Sequence, residues 1–238
     1  HFGQADPHSA VGLPRPLGIS RTNTQRHTFA WLALTVDQLS RIPQMKNSSL
    51  AAVLFSVSIA ATAGPFGLDM GTPLSELNKQ MKLKPEKPAL YSTPSVPKTH
   101  PDFDDYRLVV TPVHGLCKII AWSKVISTSV YGTELVSKFS DVERALTTKY
   151  GNPKRYDFLR SGSMWNEQRD WMMGLHKKER TLASYWTNEG RELPDSIQAI
   201  ELDAIAIGGG EAMVKLSYEF KNSDQCVDWI KSRKDSAL

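Results

Sequence analysis

The chain has 238 residues, 29 Lys and Arg against 25 Asp and Glu, and two cysteines. Residues 1–63 hold five of those cations (Arg15, Arg21, Arg26, Arg41 and Lys46) and two of the anions (Asp6 and Asp37), so the remainder carries a net charge of only +1. That balance argues against a nucleic-acid partner, and no polybasic run marks an anionic membrane surface.

Residues 1–44 begin with His1 and mix Pro, Arg, Ser and Thr. Phe29, Leu32, Val36 and Leu39 follow helical spacing, but one short amphipathic patch does not make a domain. The segment reads as a translated upstream extension with the start at Met45, or as a disordered arm. Residues 45–63 read as a secretory signal peptide. Met45-Lys46 is the basic start, Leu50 to Ala61 is uncharged and apolar, and Ala61-Thr62-Ala63 is a small-x-small cleavage site. The apolar run is far shorter than the ~20 residues a membrane-spanning helix needs, so no anchor is expected after cleavage. The mature chain would start near Gly64 in the periplasm or outside the cell.

Residues 64–238 have the length of one ordinary domain or two small ones. Gly71-Thr72-Pro73-Leu74 predicts a helix start, with Thr72 as cap and Pro73 at the first helical position, and an end near Met81. Residues 94–105 (PSVPKTHPDFDD) read as a loop. Tyr106, Leu108 and Val110 alternate with Arg107, Val109 and Thr111, as a half-buried strand requires. Cys117–Trp122 and Val125–Val130 continue an antiparallel meander. Leu135, Phe139, Val142, Leu146 and Tyr150 form one apolar stripe on a helix from Thr133 to Tyr150, stopped by Gly151 and Pro153. Ser140-x-x-Glu143 is also a capping-box pattern, which would break that helix. Residues 163–178 predict a further helix capped by Ser163, followed by a strand over Arg180–Thr187. Ile197–Ile207 and Ala212–Phe220 predict a hairpin turning at Gly208-Gly209-Gly210, and a last helix starts near Ser223.

The expected fold class is α+β, with antiparallel sheet packed against helices. The Gly-Thr-x-Leu pattern at Gly71 and again at Gly132 suggests two related helix-plus-meander units, 64–130 and 131–238. The first opening is also similar, over a short stretch only, to the glycine-plus-helix openings of small periplasmic inhibitor and outer-membrane-assembly modules. That likeness is too short to place the chain in either family.

Cys117 and Cys226 predict a disulfide, because an exported chain meets oxidising conditions. The chain-entropy model values so long a loop at about 4–5 kcal/mol. His114 precedes Cys117 by three residues, but a thiol at a strand start and in a disulfide is a poor nucleophile. His100, Asp102, Asp104 and Asp105 form a dense polar group. It lacks the glycine and distal glutamate of a calcium loop, so it reads as a solvated loop, with no metal or other cofactor expected. Trp165, Glu167, Arg169, Asp170, Trp171, His176 and Arg180 make the region richest in aromatic and charged side chains. Trp165, Arg169, Trp171 and Arg180 are the candidate binding residues, because Trp and Arg are favoured interface anchors. Phosphate-loop, nucleophile-elbow, HExxH and CxxC motifs are absent from the sequence.

These observations point to an exported, non-enzymatic protein that binds a protein or a cell-envelope component, in the manner of an inhibitor or immunity protein. The alternative is a small envelope hydrolase acting on a saccharide or peptide, with His100, Glu167 or Asp170 as acid–base groups.

Overall fold

The structure, a computed structural model, describes residues 64–208 and 210–235. The signal-peptide reading and the segment before it lie outside the described residues. Among these, four α-helices and a nine-stranded antiparallel sheet make an α+β fold. The first helix, α1 (Leu74–Gln80), leads into β1 (Lys84–Lys87), β2 (Leu90–Thr93), β3 (Phe103–Thr111) and β4 (Gly115–Ser123). After the short β5 (Ile126–Ser127), α2 (Thr133–Tyr150) leads into β6 (Lys154–Leu159), α3 (Trp171–His176), β7 (Arg180–Thr187), β8 (Ile197–Ala206) and β9 (Glu211–Phe220), and α4 (Ser223–Asp235) closes the chain.

The strands lie in the order β1-β2-β3-β4-β9-β8-β7-β6, with β5 beside β9. Two four-stranded runs thus meet through their last strands, and each run follows a helix. Gly71 and Gly132, which open the repeated pattern, sit at φ 76° and 71°, a left-handed conformation that glycine adopts without steric cost.

The alternation of each strand sorts its side chains onto two faces. On one face the register aligns Tyr91, Leu108, Ile119, Tyr218, Ile200 and Trp186 in a row across six strands. α2 lies on this face over β8 and β9, and α3 over β7 and β8. Leu135, Phe139, Val142, Leu146 and Tyr150 of α2 are all buried in the same core, the stripe the sequence predicts. Burying each such side chain contributes about 1.5–3 kcal/mol. The helix runs unbroken through Ser140 because Glu143 turns to the sheet. Its carboxylate accepts the Ser184 hydroxyl and pairs with Arg155, so no capping box forms.

Four local expectations change. Thr72 does not cap α1; its hydroxyl donates to the Asp69 carbonyl at 2.7 Å, and Pro73 is the N-cap. The helix expected over 163–178 is confined to a 3-10 turn, Gln168–Asp170, and α3, because the Ser163 hydroxyl takes the Trp165 N–H in a local turn and Glu167 is extended. The loop read over 94–105 gives way to β3 at Phe103. The outer strands β1, β2 and β6 were not expected at all.

Cys117 and Cys226 form a disulfide across 109 residues, with their Cα atoms 6.5 Å apart. It ties the first turn of α4 to the start of β4, where Asn222 Nδ2 donates to the carbonyls of His114 and Leu116 at 2.9 and 3.1 Å. Thr111 Oγ1 lies 3.4 Å from Cys226 Sγ, so α4 covers the β3–β4 end of the face turned away from the other helices. Such a disulfide fits an extracellular protein. Among the described residues, no helix is long and apolar enough to cross a membrane.

Candidate binding surface

The second face of the sheet is built from the alternate residues of the same strands. One row runs Ser92, Arg107, Ile120, Ser217, Glu201, Tyr185 and Lys154; the next runs Asp105, Trp122, Lys215, Asp203, Ala183 and Tyr156. Among the described residues, apart from α4 at one end, no helix packs on these rows. Most of their side chains remain partly open to solvent, although several are apolar or aromatic.

Charges on this face are paired along and across strands. Lys118 Nζ meets Glu219 at 2.5 Å, and Lys215 Nζ lies 3.2 Å from Glu201 and 2.5 Å from Asp203. Two carboxylates therefore share one ammonium. Burial raises the Glu201 carboxyl, but Lys215 outweighs it and holds the group below its ordinary range. Burial and the neighbouring Glu201 leave Asp203 raised. The Tyr185 hydroxyl donates to Glu201 at 3.3 Å, and burial beside Asp203 and Glu201 pushes its phenol up to about 12. Trp122 Nε1, Ser217 Oγ and Arg107 Nε are buried without a hydrogen-bond partner among the described residues.

Toward β6 the face becomes an aromatic cleft of about 480 Å³, lined by Lys154, Tyr156, Phe158, Thr181, Tyr185 and Thr187. Tyr156 and Tyr185 meet edge to face with centroids 5.7 Å apart, and Lys154 Nζ lies 5.5 Å from the Tyr156 centroid. Phe158 is 50% exposed. Rings with an apolar body and a polar tip, beside paired charges, offer a ligand both contact area and hydrogen bonds.

The residues singled out in the sequence fall elsewhere. Trp171, Arg180 and Trp165 gather around Gly174, with the Arg180 guanidinium 5.5 Å from the Trp171 ring centroid. Trp171 also packs on the turn before α2, where a β-carbon at Gly132 would fall 2.2 Å from its Cε3 atom. Arg169 pairs with Glu167 at 2.8 Å, both exposed, with Asp170 closing the same 3-10 turn. His100 and Asp102 line a separate cleft of about 380 Å³ between α2 and residues 64–66. There Asp102 is held by Lys138 at 2.8 Å, and His100 Nδ1 accepts the Asp102 backbone N–H at 3.3 Å. The Nδ1 lone pair is thus engaged by the backbone, and the carboxylate stands 3.9 Å away, beyond hydrogen-bond reach. Among the described residues, no group of His, Cys, Asp and Glu is arranged to hold a metal ion.

Tyr156, Phe158, Tyr185, Trp122 and Lys215 were not singled out in the sequence. Their signal is the phase of alternation: Lys118, Ile120 and Trp122 are out of step with the core residues Ile119 and Ala121, and Lys154, Tyr156 and Phe158 alternate directly after Pro153. No family model, curated protein or solved structure matches this chain.

Proposed function

We propose that this chain is an exported, non-enzymatic protein that binds a protein or another cell-envelope component on the open face of its sheet, as an inhibitor or immunity protein does. The observation that carries this reading is the aromatic and ion-paired surface from Trp122 to Phe158, over which no helix of the described residues packs. Tyr, Trp and Arg anchors supply most of the energy of protein interfaces, and they act best where paired charges set the register of the partner. The Met45–Ala63 pattern and the Cys117–Cys226 disulfide support a periplasmic or secreted location. The hydrolase alternative is less well supported, because the His100 Nδ1 atom accepts a backbone N–H instead of donating to Asp102.

Capture from an envelope extract tests this. The native protein retains a partner that W122A and Y185A each lose by about tenfold or more, whereas R144A, on the exposed flank of α2, keeps it. Equal capture by all three variants contradicts the reading. N-terminal sequencing of the exported protein is expected to begin near Gly64, and a start elsewhere contradicts the leader assignment.

A further inference from the structure

The two edges of the sheet are built differently. β1 is four residues long, contains Pro85, which has no N–H to offer, and loses register between Pro85 and Lys87. Such an edge is blunted against further pairing. β6 pairs with β7 in unbroken register over all six residues and contains no proline. Among the described residues, no backbone group pairs with its outer side. α2 lies over β8–β9 and α3 over β7–β8, reaching β6 only through Arg155, which pairs with Glu143, and Leu159, which packs at Gly174, so most β6 side chains stay exposed.

The β6 sequence, Lys-Arg-Tyr-Asp-Phe-Leu, complements itself. Residues directly opposite in an antiparallel pair share a face, so a strand meeting its own copy must centre on a residue rather than between two. Centring on Arg155 or on Asp157 would oppose two like charges. Centring on Tyr156 instead places each Arg155 opposite the other copy's Asp157, and each Lys154 opposite the other copy's Phe158. Within one copy the Arg155 guanidinium engages Glu143 of α2 through Nη1 and lies 3.9 Å from Asp157 through Nη2, while Asp157 also meets Arg180 at 3.4 Å, so both side chains turn outward from these contacts to make the reciprocal pairs. The two-fold axis would stand perpendicular to the sheet at Tyr156, keeping both open faces on one side.

We infer that the protein forms a homodimer by antiparallel pairing of β6 with β6 of a second copy, centred on Tyr156. The sheet then runs continuously through both copies, and the two aromatic clefts fuse across paired Tyr156 rings into one two-fold surface. Main-chain hydrogen bonds supply the affinity, and the two reciprocal Arg155–Asp157 pairs set the register.

The test is sedimentation equilibrium of the full chain up to about 100 µM, a range that reports weak dimers. The native protein is expected to associate reversibly. D157R sets guanidinium groups against each other and R155D sets carboxylates against each other, so each weakens association by about tenfold or more. Mixing the two variants restores charge complementarity at both pairs and recovers a heterodimer. A native protein that stays monomeric overturns the inference, as does a dimer indifferent to either substitution or a mixture that fails to associate. Hydrogen exchange of the native protein gives a second reading that needs no variant. Amides of residues 154–159 should exchange more slowly in concentrated than in dilute protein, and exchange independent of concentration overturns the pairing.

Discussion

The two faces of this sheet are made by the same strands and differ in nearly every physical respect. On the covered face the row is buried from Leu108 to Trp186, with Tyr91 half-buried at its end, and α2 and α3 lie over its β7–β9 part. On the open face the neighbouring row from Asp105 to Tyr156 carries an ion-paired lysine, two acids, a tryptophan and a tyrosine. A one-residue step along a strand therefore separates what holds the fold from what is free to meet a partner. Stability is expected to concentrate on the first face and recognition on the second.

The strongest way to break the covered face is Phe139→Ala. Phe139 is fully buried, and its loss is expected to cost about 3–5 kcal/mol, read as a lower midpoint in denaturant. Next comes the disulfide, which fastens α4 over one end of the open face. Replacing Cys117 and Cys226 with alanine is expected to cost about 2–4 kcal/mol, and the native protein should take up no alkylating label without reductant.

A smaller effect sharpens the contrast from the open side. Lys215→Met leaves Glu201 and Asp203 adjacent without their shared ammonium, at an expected cost of about 2 kcal/mol at neutral pH. Both carboxyls then sit higher in the folded than in the unfolded state, so folding takes up protons. The deficit relative to the native protein should therefore narrow as pH falls through the carboxylate range.

The smallest effect concerns the start of α2. Glu134 accepts hydrogen bonds from the Ser129 N–H and the Thr128 and Thr133 hydroxyls at 2.9, 2.7 and 2.9 Å, and these hold its carboxyl down to about 2 against an ordinary 4.5. Its folded pKa is depressed, so its stabilising contribution is present above pH 4.5 and is lost as pH falls toward 2. Glu134→Gln is expected to flatten that part of the acid-unfolding profile, and an unchanged profile would count against these bonds stabilising the fold.

The same contrast explains what was legible in the sequence. The interior strands β3, β4, β8 and β9 declare themselves, because a core on one side forces strict alternation, as in Ala212, Val214, Leu216, Tyr218 and Phe220. The stripe on α2 is equally plain, and the cysteines pair as expected. The outer strands were hidden: β1 is Lys-Pro-Glu-Lys, and β6 places Arg155 and Asp157 on its inner side, where an apolar signal would be sought. Around Trp165 and Trp171 the Ser163 cap predicts a helix over 163–178, but local turns at Ser163 and Glu167 confine it. The open face was missed because its residues look like the polar half of ordinary alternation. Only the register across six strands gathers Trp122, Lys215, Asp203 and Tyr156 into one row.

Site-specific photo-cross-linking in an envelope extract tests the division of labour most directly. A cross-linking side chain introduced in turn at Trp122, Lys118, Arg144 and Thr148 samples the open face and the outer flank of α2. Adducts to a common partner are expected from the Trp122 and Lys118 positions and not from the Arg144 and Thr148 positions. Adducts confined to the helix layer, with the open face silent, would contradict the assignment of that face to binding.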